Sequence, residues 1–426
     1  MTTTHHAGRV NVGGSDSDPH LRRGPRGYPL LPGGYGRSTY YTGAPSPYAI
    51  RGEGYRVWDD RGRELIDVNN NFTSLIHGNA HPEITEAAIK ALSSGASWGI
   101  PNRYEWAAAE LFLLRLPGLD QVRFTNSGTE AVMSAIRIAR ASTGRDRVLV
   151  TKGGYHGTSE VALVPGGPSY TRGVPQGVID DVTAVPLNDV EFLVQAVEAA
   201  PETYAAIILD LLPNRAGLLH ITEEFVRTAR DLATRYGIVL IIDEVISLRL
   251  GFRGLSGEYG IVPDLLTAGK LIGGGLPVGA VAGKGELMAE VDPTRPGSLP
   301  HGGTFSGNPV SMAAGAVAMR LLTEQEIQRL NRLGDAARET VNARVQGVGW
   351  EIRGRGSLLR AVPAGAQKVE ERIQHRLWWA SYERGLLPSP ANLLSLSTPM
   401  DDKVVAEIAD RLGDAVLAVA ESSPQP

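Results

Sequence analysis

Lys270 stands in Thr267-Ala268-Gly269-Lys270-Leu271-Ile272-Gly273-Gly274-Gly275, where glycines let backbone approach a ligand closely. Upstream, Asp243 closes the apolar run Val239-Leu240-Ile241-Ile242. Burial would strip the lysine of basicity and leave an amine able to add to an aldehyde. A carboxylate at the end of an apolar run is costly to desolvate without a cationic or hydrogen-bonding partner. A protonated pyridine nitrogen would be such a partner, and the pair would keep the ring charged as an electron sink. Aldehyde and pyridine coexist in pyridoxal phosphate, whose chemistry asks a protein for these two groups above all. Each residue also has a plainer use: most lysines are surface lysines, and a strand-end aspartate can cap the next helix. Val245 either covers one face of such a ring or is ordinary core.

Three further segments carry groups of the right kind. Asn126-Ser127-Gly128-Thr129-Glu130-Ala131 opens a helix whose Val132, Met133, Ala135, Ile136 and Ala139 share one side. The N–H groups of a first helical turn, with the Ser127 and Thr129 hydroxyls, suit a phosphate at the positive helix end. Ser127 with Glu130 also reads as a plain capping box, and the two uses are compatible. Tyr155 and His156 follow Gly153-Gly154, and an aromatic there can stack on a cofactor ring or pack at the surface. His301-Gly302-Gly303-Thr304-Phe305-Ser306-Gly307-Asn308-Pro309 is a glycine-rich loop. Its hydroxyls and N–H groups suit a second phosphate contact, or it serves only as a structural loop. Gly273-Gly274-Gly275 is no dinucleotide fingerprint, because it does not open the strand-to-helix turn that motif needs.

These residues gain meaning from the elements that must carry them. Residues 48–68 alternate short β-like runs (55–58, 60–63 and 64–68) with glycine turns, which predicts a small antiparallel sheet. From about residue 82 to 325, helices alternate with strands. Strands are predicted at 121–125, 147–151, 205–209, 238–242 and 264–267, mostly short, apolar and β-branched, as buried parallel strands should be. Phe225, Val226, Ala229, Leu232, Ala233 and Tyr236 fall on one face of a helix over 222–236, stopped by Gly237. An alanine-rich helix is predicted at 312–318, amphipathic helices at 324–345 and 401–420, and short strands around Arg360 and Leu394. Ser127 follows the first strand of the alternating region, Tyr155 and His156 the second, Asp210 the third, Asp243 the fourth and Lys270 the fifth. Ligands of an open α/β sheet bind outside the carboxyl ends of its strands, so five segments should converge on one crevice.

The 426 residues exceed what one small core holds. They predict a large α/β domain over 81–325 and a smaller α+β domain from 28–80 and 326–421. Residues 1–27 read as a disordered leader rather than a signal peptide, and 422–426 as a frayed tail. The 42 Lys+Arg nearly balance 46 Asp+Glu, so neither nucleic acid nor a membrane surface is implied as a partner. No apolar run approaches the roughly 20 residues of a membrane span. With no cysteine there is no disulfide framework, thiolate metal site or cysteine nucleophile; no metal is expected, and a cytoplasmic location fits.

In this order, five motifs resemble the class III aminotransferases of PLP fold type I, over a match from about Tyr28 to the final helix. They are Asn126 to Ala131, Gly154-Tyr155-His156-Gly157, Asp243-Glu244-Val245, the Gly269-Lys270 segment with its three glycines, and His301-Gly302-Gly303-Thr304-Phe305. Within that class the chain looks similar to the glutamate-1-semialdehyde 2,1-aminomutases and the β-amino-acid aminotransferases. The resemblance implies a mostly parallel seven-stranded sheet flanked by helices, pyridoxal 5′-phosphate as cofactor, and a homodimer with active sites at the subunit interface. It implies Lys270 as the Schiff-base lysine and Asp243 as partner of the pyridine nitrogen. Ser127, Gly128 and Thr129 would bind phosphate, with Thr304 reaching in from the second subunit. Tyr155 and Val245 would sandwich the ring, with His156 beside them.

Gly33-Gly34-Tyr35-Gly36-Arg37-Ser38 resembles the segment whose arginine binds the substrate carboxylate in β-amino-acid aminotransferases, which matches Arg37 to that role. A guanidinium suits a planar carboxylate because it donates two parallel hydrogen bonds; the plain alternative is a loop arginine. Phe72 and Trp98 are pocket aromatics or core. The chain departs from the family pattern in three places. Asp210-Leu211 replaces the usual Glu-Pro. Ile246 stands where many members have a glutamine bonding the cofactor's phenolic oxygen, and Asn214 is the candidate replacement donor. Ala391 stands where β-phenylalanine enzymes place a second arginine. The implied activity moves an amino group from an amine or β-amino acid to an oxo acid. An aminomutase, a racemase or epimerase, and a non-enzymatic α/β scaffold are the alternatives.

Overall fold

Alternate residues of the central strands are sorted into two different cores, which is what a period of two does in a sheet covered on both faces. Val239 and Ile241 pack with Val132, Ala135 and Ile136, whereas Leu240 and Ile242 pack with Phe225, Ala229 and Leu232. The computed structural model describes residues 23–366 and 368–422, so the expected leader and tail lie almost wholly outside the described residues. The sheet has seven strands, in the order Gln121–Thr125, Gly279–Gly283, Leu265–Gly269, Val239–Asp243, Tyr204–Leu209, Arg147–Thr151, Val182–Val185. Gly279–Gly283 is antiparallel to both neighbours and the other pairings are parallel.

The helices follow from their ends and stripes. Glu223–Tyr236 starts where Thr222 Oγ1 accepts from the Phe225 amide at 3.3 Å, and it stops at Gly237 with φ 61. Gly128–Thr143 lies across Leu265–Gly269 and Gly279–Gly283. The five predicted strands hold to within two residues, but Val182–Val185 and Gly279–Gly283 were not expected. The second is built of small residues without strand patterning. A Cβ on Gly279 would meet the Ser127 carbonyl oxygen at 2.0 Å, so only glycine lets this strand pass beneath the start of the helix.

Two smaller sheets complete the fold. Ala49–Glu53, Arg56–Asp59 and Glu64–Asp67 are antiparallel, and Leu386–Leu387 joins them parallel to Glu64–Asp67, so N-terminal and C-terminal segments share one sheet. The strand expected at 60–63 is instead the hairpin turn. Asp59 Oδ1 pins it by accepting from the Arg61 and Arg63 amides at 3.0 and 2.9 Å. Trp350–Arg355, Leu358–Pro363 and Leu393–Ser395 form the third sheet. Among the described residues no helix is long and apolar enough to cross a membrane.

Candidate active site

Asp243 ends its strand buried, and three donors converge on its carboxylate. Oδ2 accepts from His156 Nδ1 at 2.7 Å; Oδ1 accepts from Thr267 Oγ1 and from the Val245 amide, both at 3.1 Å. Thr267 faces Asp243 in register on the adjacent strand, so the sheet itself sets that contact. Because the ionised carboxylate only accepts, His156 carries its proton on Nδ1, and its buried Nε2 has no partner among the described residues. Burial opposes charge on His156, but the contact with Asp243 and the nearby Asp210 outweigh it and raise its proton affinity above the ordinary histidine range. A carboxylate offers about four lone-pair sites, so Asp243 retains one for a further donor.

Lys270 opens the turn Lys270–Gly273 at the end of the neighbouring strand, with φ 53. The left-handed region costs a non-glycine residue about 1–2 kcal/mol, a strain that persists where the surroundings fix a side chain for use. Desolvation pulls the Lys270 ammonium below the ordinary lysine range, against the opposing pull of Asp243 and Asp210. Asp210 follows the strand on the other side of Asp243, and its Oδ1 accepts from the Leu212 amide at 3.1 Å. Burial, opposed by His156 and two amides and reinforced by Asp243, pushes the Asp210 carboxyl up to about 6.

The helix start forms a cradle beside these groups. Ser127 Oγ accepts from the Glu130 amide at 3.2 Å, and Glu130 Oε2 accepts from the Asn126 amide at 2.9 Å. The capping use is therefore real, while the first-turn amides of Gly128 and Thr129 have no intrahelical acceptor. A Cβ on Gly128 would meet Val245 Cγ2 at 2.9 Å, which puts Val245 against the cradle and requires glycine there. Thr129 lies so close to Gly157 that a Cβ on the latter would meet its Oγ1 at 2.3 Å. Tyr155 is half-buried, with the Arg215 guanidinium 4.6 Å from its ring centre. Ser127, Gly128, Thr129, Tyr155, His156, Asp243, Val245 and Lys270 are thus brought together.

Four more predicted residues fall at the rim and one falls elsewhere. Asn214 opens the turn Asn214–Ala216, tied to the Tyr155 turn by the Ala216 amide donating to Gly153 O at 3.2 Å. Its two oxygens both accept from Arg360 Nη1, the side-chain Oδ1 at 3.1 Å. Arg37 is exposed, stacks 4.2 Å over Tyr40 and 5.4 Å from Phe72, and donates from Nη2 to Asn71 Oδ1 at 3.2 Å. Phe72 belongs to the turn Asn70–Thr73, whose residues have φ of 49, 45, 56 and 74. Asn69 Oδ1 accepts from the Phe72 amide at 2.7 Å, and Asn70 Nδ2 donates to Ser395 O at 2.7 Å, which tie this left-handed turn to the strand Leu393–Ser395; it also neighbours the Lys270–Gly273 turn. Thr304 and Phe305 are exposed on a loop whose Gly303 stands beside Asn126. Trp98, 40% exposed, packs over Gly95 and does not join the cluster.

Three participants were not singled out from the sequence. Thr267 had a signal, since it ends the strand next to Asp243. Arg215 and Arg360 had none, because both act across distant segments. The donor set fits a phosphorylated pyridine aldehyde. A carboxylate with one open site can meet a ring N–H, a desolvated amine can meet the aldehyde, and a capped helix start can meet the phosphate.

The family model for class-III aminotransferases matches residues 42–400. The glutamate-1-semialdehyde 2,1-aminomutase of Dichelobacter nodosus is 40% identical over 308 residues, 70% of this chain and 72% of that protein. Among solved structures, an omega-transaminase from Sphaerobacter thermophilus superposes with TM-score 0.88 and 41% identity, over 92% of this chain and 95% of that one. A transaminase with PLP bound gives 0.87 and 36% over the same shares. A β-phenylalanine aminotransferase from Variovorax paradoxus gives 0.86 and 31%, over 93% of each chain.

Proposed function

The chain belongs to the class-III aminotransferase family, and we propose that it is a pyridoxal-phosphate transaminase whose amino donor is a β-amino acid or a related amine. The observation that carries the reading is the placement of Lys270 beside the buried Asp243–His156 pair at the ends of adjacent parallel strands. When bound, the cofactor supplies an aldehyde that takes up the amino group and a ring that spreads the negative charge of the deprotonated carbon. Asp243 Oδ would accept the ring N–H and favour its protonated form, while His156 and Thr267 fix the carboxylate. Ser127, Gly128 and Thr129 hold the phosphate at the helix start. Val245 and Tyr155 would cover the ring and exclude water from it. Lys270 Nζ, desolvated and weakly basic, would take the proton from the substrate's amino-bearing carbon and deliver it to the former aldehyde carbon on the far side of the nitrogen, as base and then acid. Arg37 holds the substrate carboxylate, with Phe72 at its side.

The protein acts as a homodimer in this reading, with Thr304 completing the phosphate site of the partner. Phe305 is 60% and Trp106 77% exposed, on segments joined where Asn102 Nδ2 donates to Gly307 O; a contiguous exposed apolar patch there would support such an interface. The similarity to the Dichelobacter nodosus protein favours a second reading, an aminomutase that returns the amine to the same substrate. The test is the visible absorbance of the purified protein before and after a β-amino acid is added. A near-violet band that bleaches supports the transaminase reading. A band that stays unmoved shifts the reading to an aminomutase or another amine, and turnover without a separate oxo acceptor then identifies the former. No band after incubation with pyridoxal phosphate refutes the Lys270 assignment.

A further inference from the structure

Arg360 is a buried cation without an anion. It sits on Leu358–Pro363 between Arg353 and Leu393 and is 4% exposed. It makes no ion pair among the described residues, and its Nε is buried without a partner. Burial and the neighbouring Arg353 lower its proton affinity to about 10, so it stays charged at neutral pH. A buried guanidinium is retained at such cost only where it meets acceptors or faces a ligand. Its Nη1 donates to both oxygens of Asn214, backbone and side chain.

That pair of contacts fixes a choice the amide could otherwise make either way. A guanidinium has donors and no acceptor, so the Asn214 atom facing it must be Oδ1. The amide nitrogen Nδ2 is then turned away from Arg360, and it has no partner among the described residues. Asn214 lies beside the Gly153-Gly154-Tyr155 turn, and no side chain at Ile246 can donate in its place. We propose that Arg360 is a positioning residue for the cofactor. It locks Asn214 with Nδ2 as the donor to the ring's phenolic oxygen and places a buried positive charge behind that contact. This rests on the reading that the crevice holds pyridoxal phosphate. The other charges around Asn214 are Arg215, stacked on Tyr155 and Tyr170; Arg353, engaged by Glu351; and Asp210 at the strand end.

A donor and a cation at the phenolic oxygen both disfavour protonation of the nitrogen through which Lys270 holds the cofactor. The experiment is a pH titration of the near-violet band in the holoenzyme, for the wild type and for Arg360→Met, Arg360→Lys, Asn214→Ala and the Arg360→Met/Asn214→Ala double variant. The titration midpoint should rise by about one pH unit in Arg360→Met, the scale of one nearby charge. Arg360→Lys should recover part of the shift. Asn214→Ala should shift it less, because the Arg360 charge stays, and the double variant should move no further than Arg360→Met alone. Unchanged midpoints in folded Arg360→Met and Asn214→Ala would overturn the proposal. So would a raised KM for carboxylate substrates with the midpoint unmoved, which would make Arg360 a substrate contact. If Arg360→Met fails to fold, Arg360→Lys and Asn214→Ala still decide, because both keep a cation at position 360. A wild type without a near-violet band would instead refute the cofactor reading itself.

Discussion

The two ends of the crevice are built to different tolerances. At the Asp243 end, the carboxylate is buried and held three times: by His156, by Thr267 across the sheet, and by the Val245 amide. At the Arg37 end, an exposed guanidinium rests on Tyr40 and keeps one side-chain hydrogen bond among the described residues, to Asn71. Rigid strands position the first and loops the second. Chemistry common to a family belongs where geometry is over-determined, and substrate choice belongs where a loop can change without disturbing the sheet.

The sharpest way to break that comparison is at Lys270. In Lys270→Ala, turnover should fall by at least about a thousandfold, since the residue is both the cofactor's anchor and its proton carrier. The near-violet band should vanish while the far-ultraviolet dichroism stays native. Substantial remaining turnover would show that the buried end is not where the chemistry lies.

Asp210 tests whether the buried end carries more charge than its fold wants. Its carboxyl is raised from an ordinary 3.8 to about 6, so the folded chain binds this proton more tightly than the unfolded chain does. Stability from this group is therefore present below about pH 4 and is lost as pH rises through 6. The loss is on the order of 3 kcal/mol for a shift of this size. Cofactor-free Asp210→Asn, whose amide oxygen can still accept from Leu212, should unfold at higher urea than wild type at pH 8. The advantage should shrink toward pH 4. An equal difference at both pH values would mean that packing, not charge, decides.

The same contrast explains what could be read before the structure. Asp243, Lys270, Ser127 and Tyr155 could be placed together because each lies at or just past the end of an expected strand, and strand ends converge by the topology of a parallel sheet. Arg360 could not be, because its partner Asn214 is 146 residues away along the chain, in a turn outside the sheet that carries Arg360. Gly279–Gly283 was missed because Gly279 is set by clearance under Ser127 and Gly283 by Leu265 and Met288, not by strand propensity. Trp98 followed from its aromatic character alone, and exposure over Gly95 is where that led.

At the adjustable end, Arg37→Ala should raise KM for a β-amino acid about ten- to a hundredfold. That is the scale of a charge-assisted contact, and amines that lack a carboxylate should be used as before. Equal losses for both kinds of donor would mean that Arg37 supports the loop rather than the substrate.

The smallest effect sharpens the comparison most, because it separates orientation from strain. Asn71 orients Arg37 from a turn in which it adopts φ 45 and ψ 62. Asparagine tolerates that region, alanine does so at a cost of about 1 kcal/mol, and glycine at none. Asn71→Gly and Asn71→Ala both delete the amide that holds Nη2, so both should raise KM for the β-amino acid by two- to tenfold, roughly one hydrogen bond. Only Asn71→Ala should also lower the unfolding midpoint. If KM follows stability instead, rising in Asn71→Ala and not in Asn71→Gly, then the turn's strain rather than its hydrogen bond sets the substrate end. The tolerance ascribed to the loops would then have to be moved into the backbone of residues 70–73.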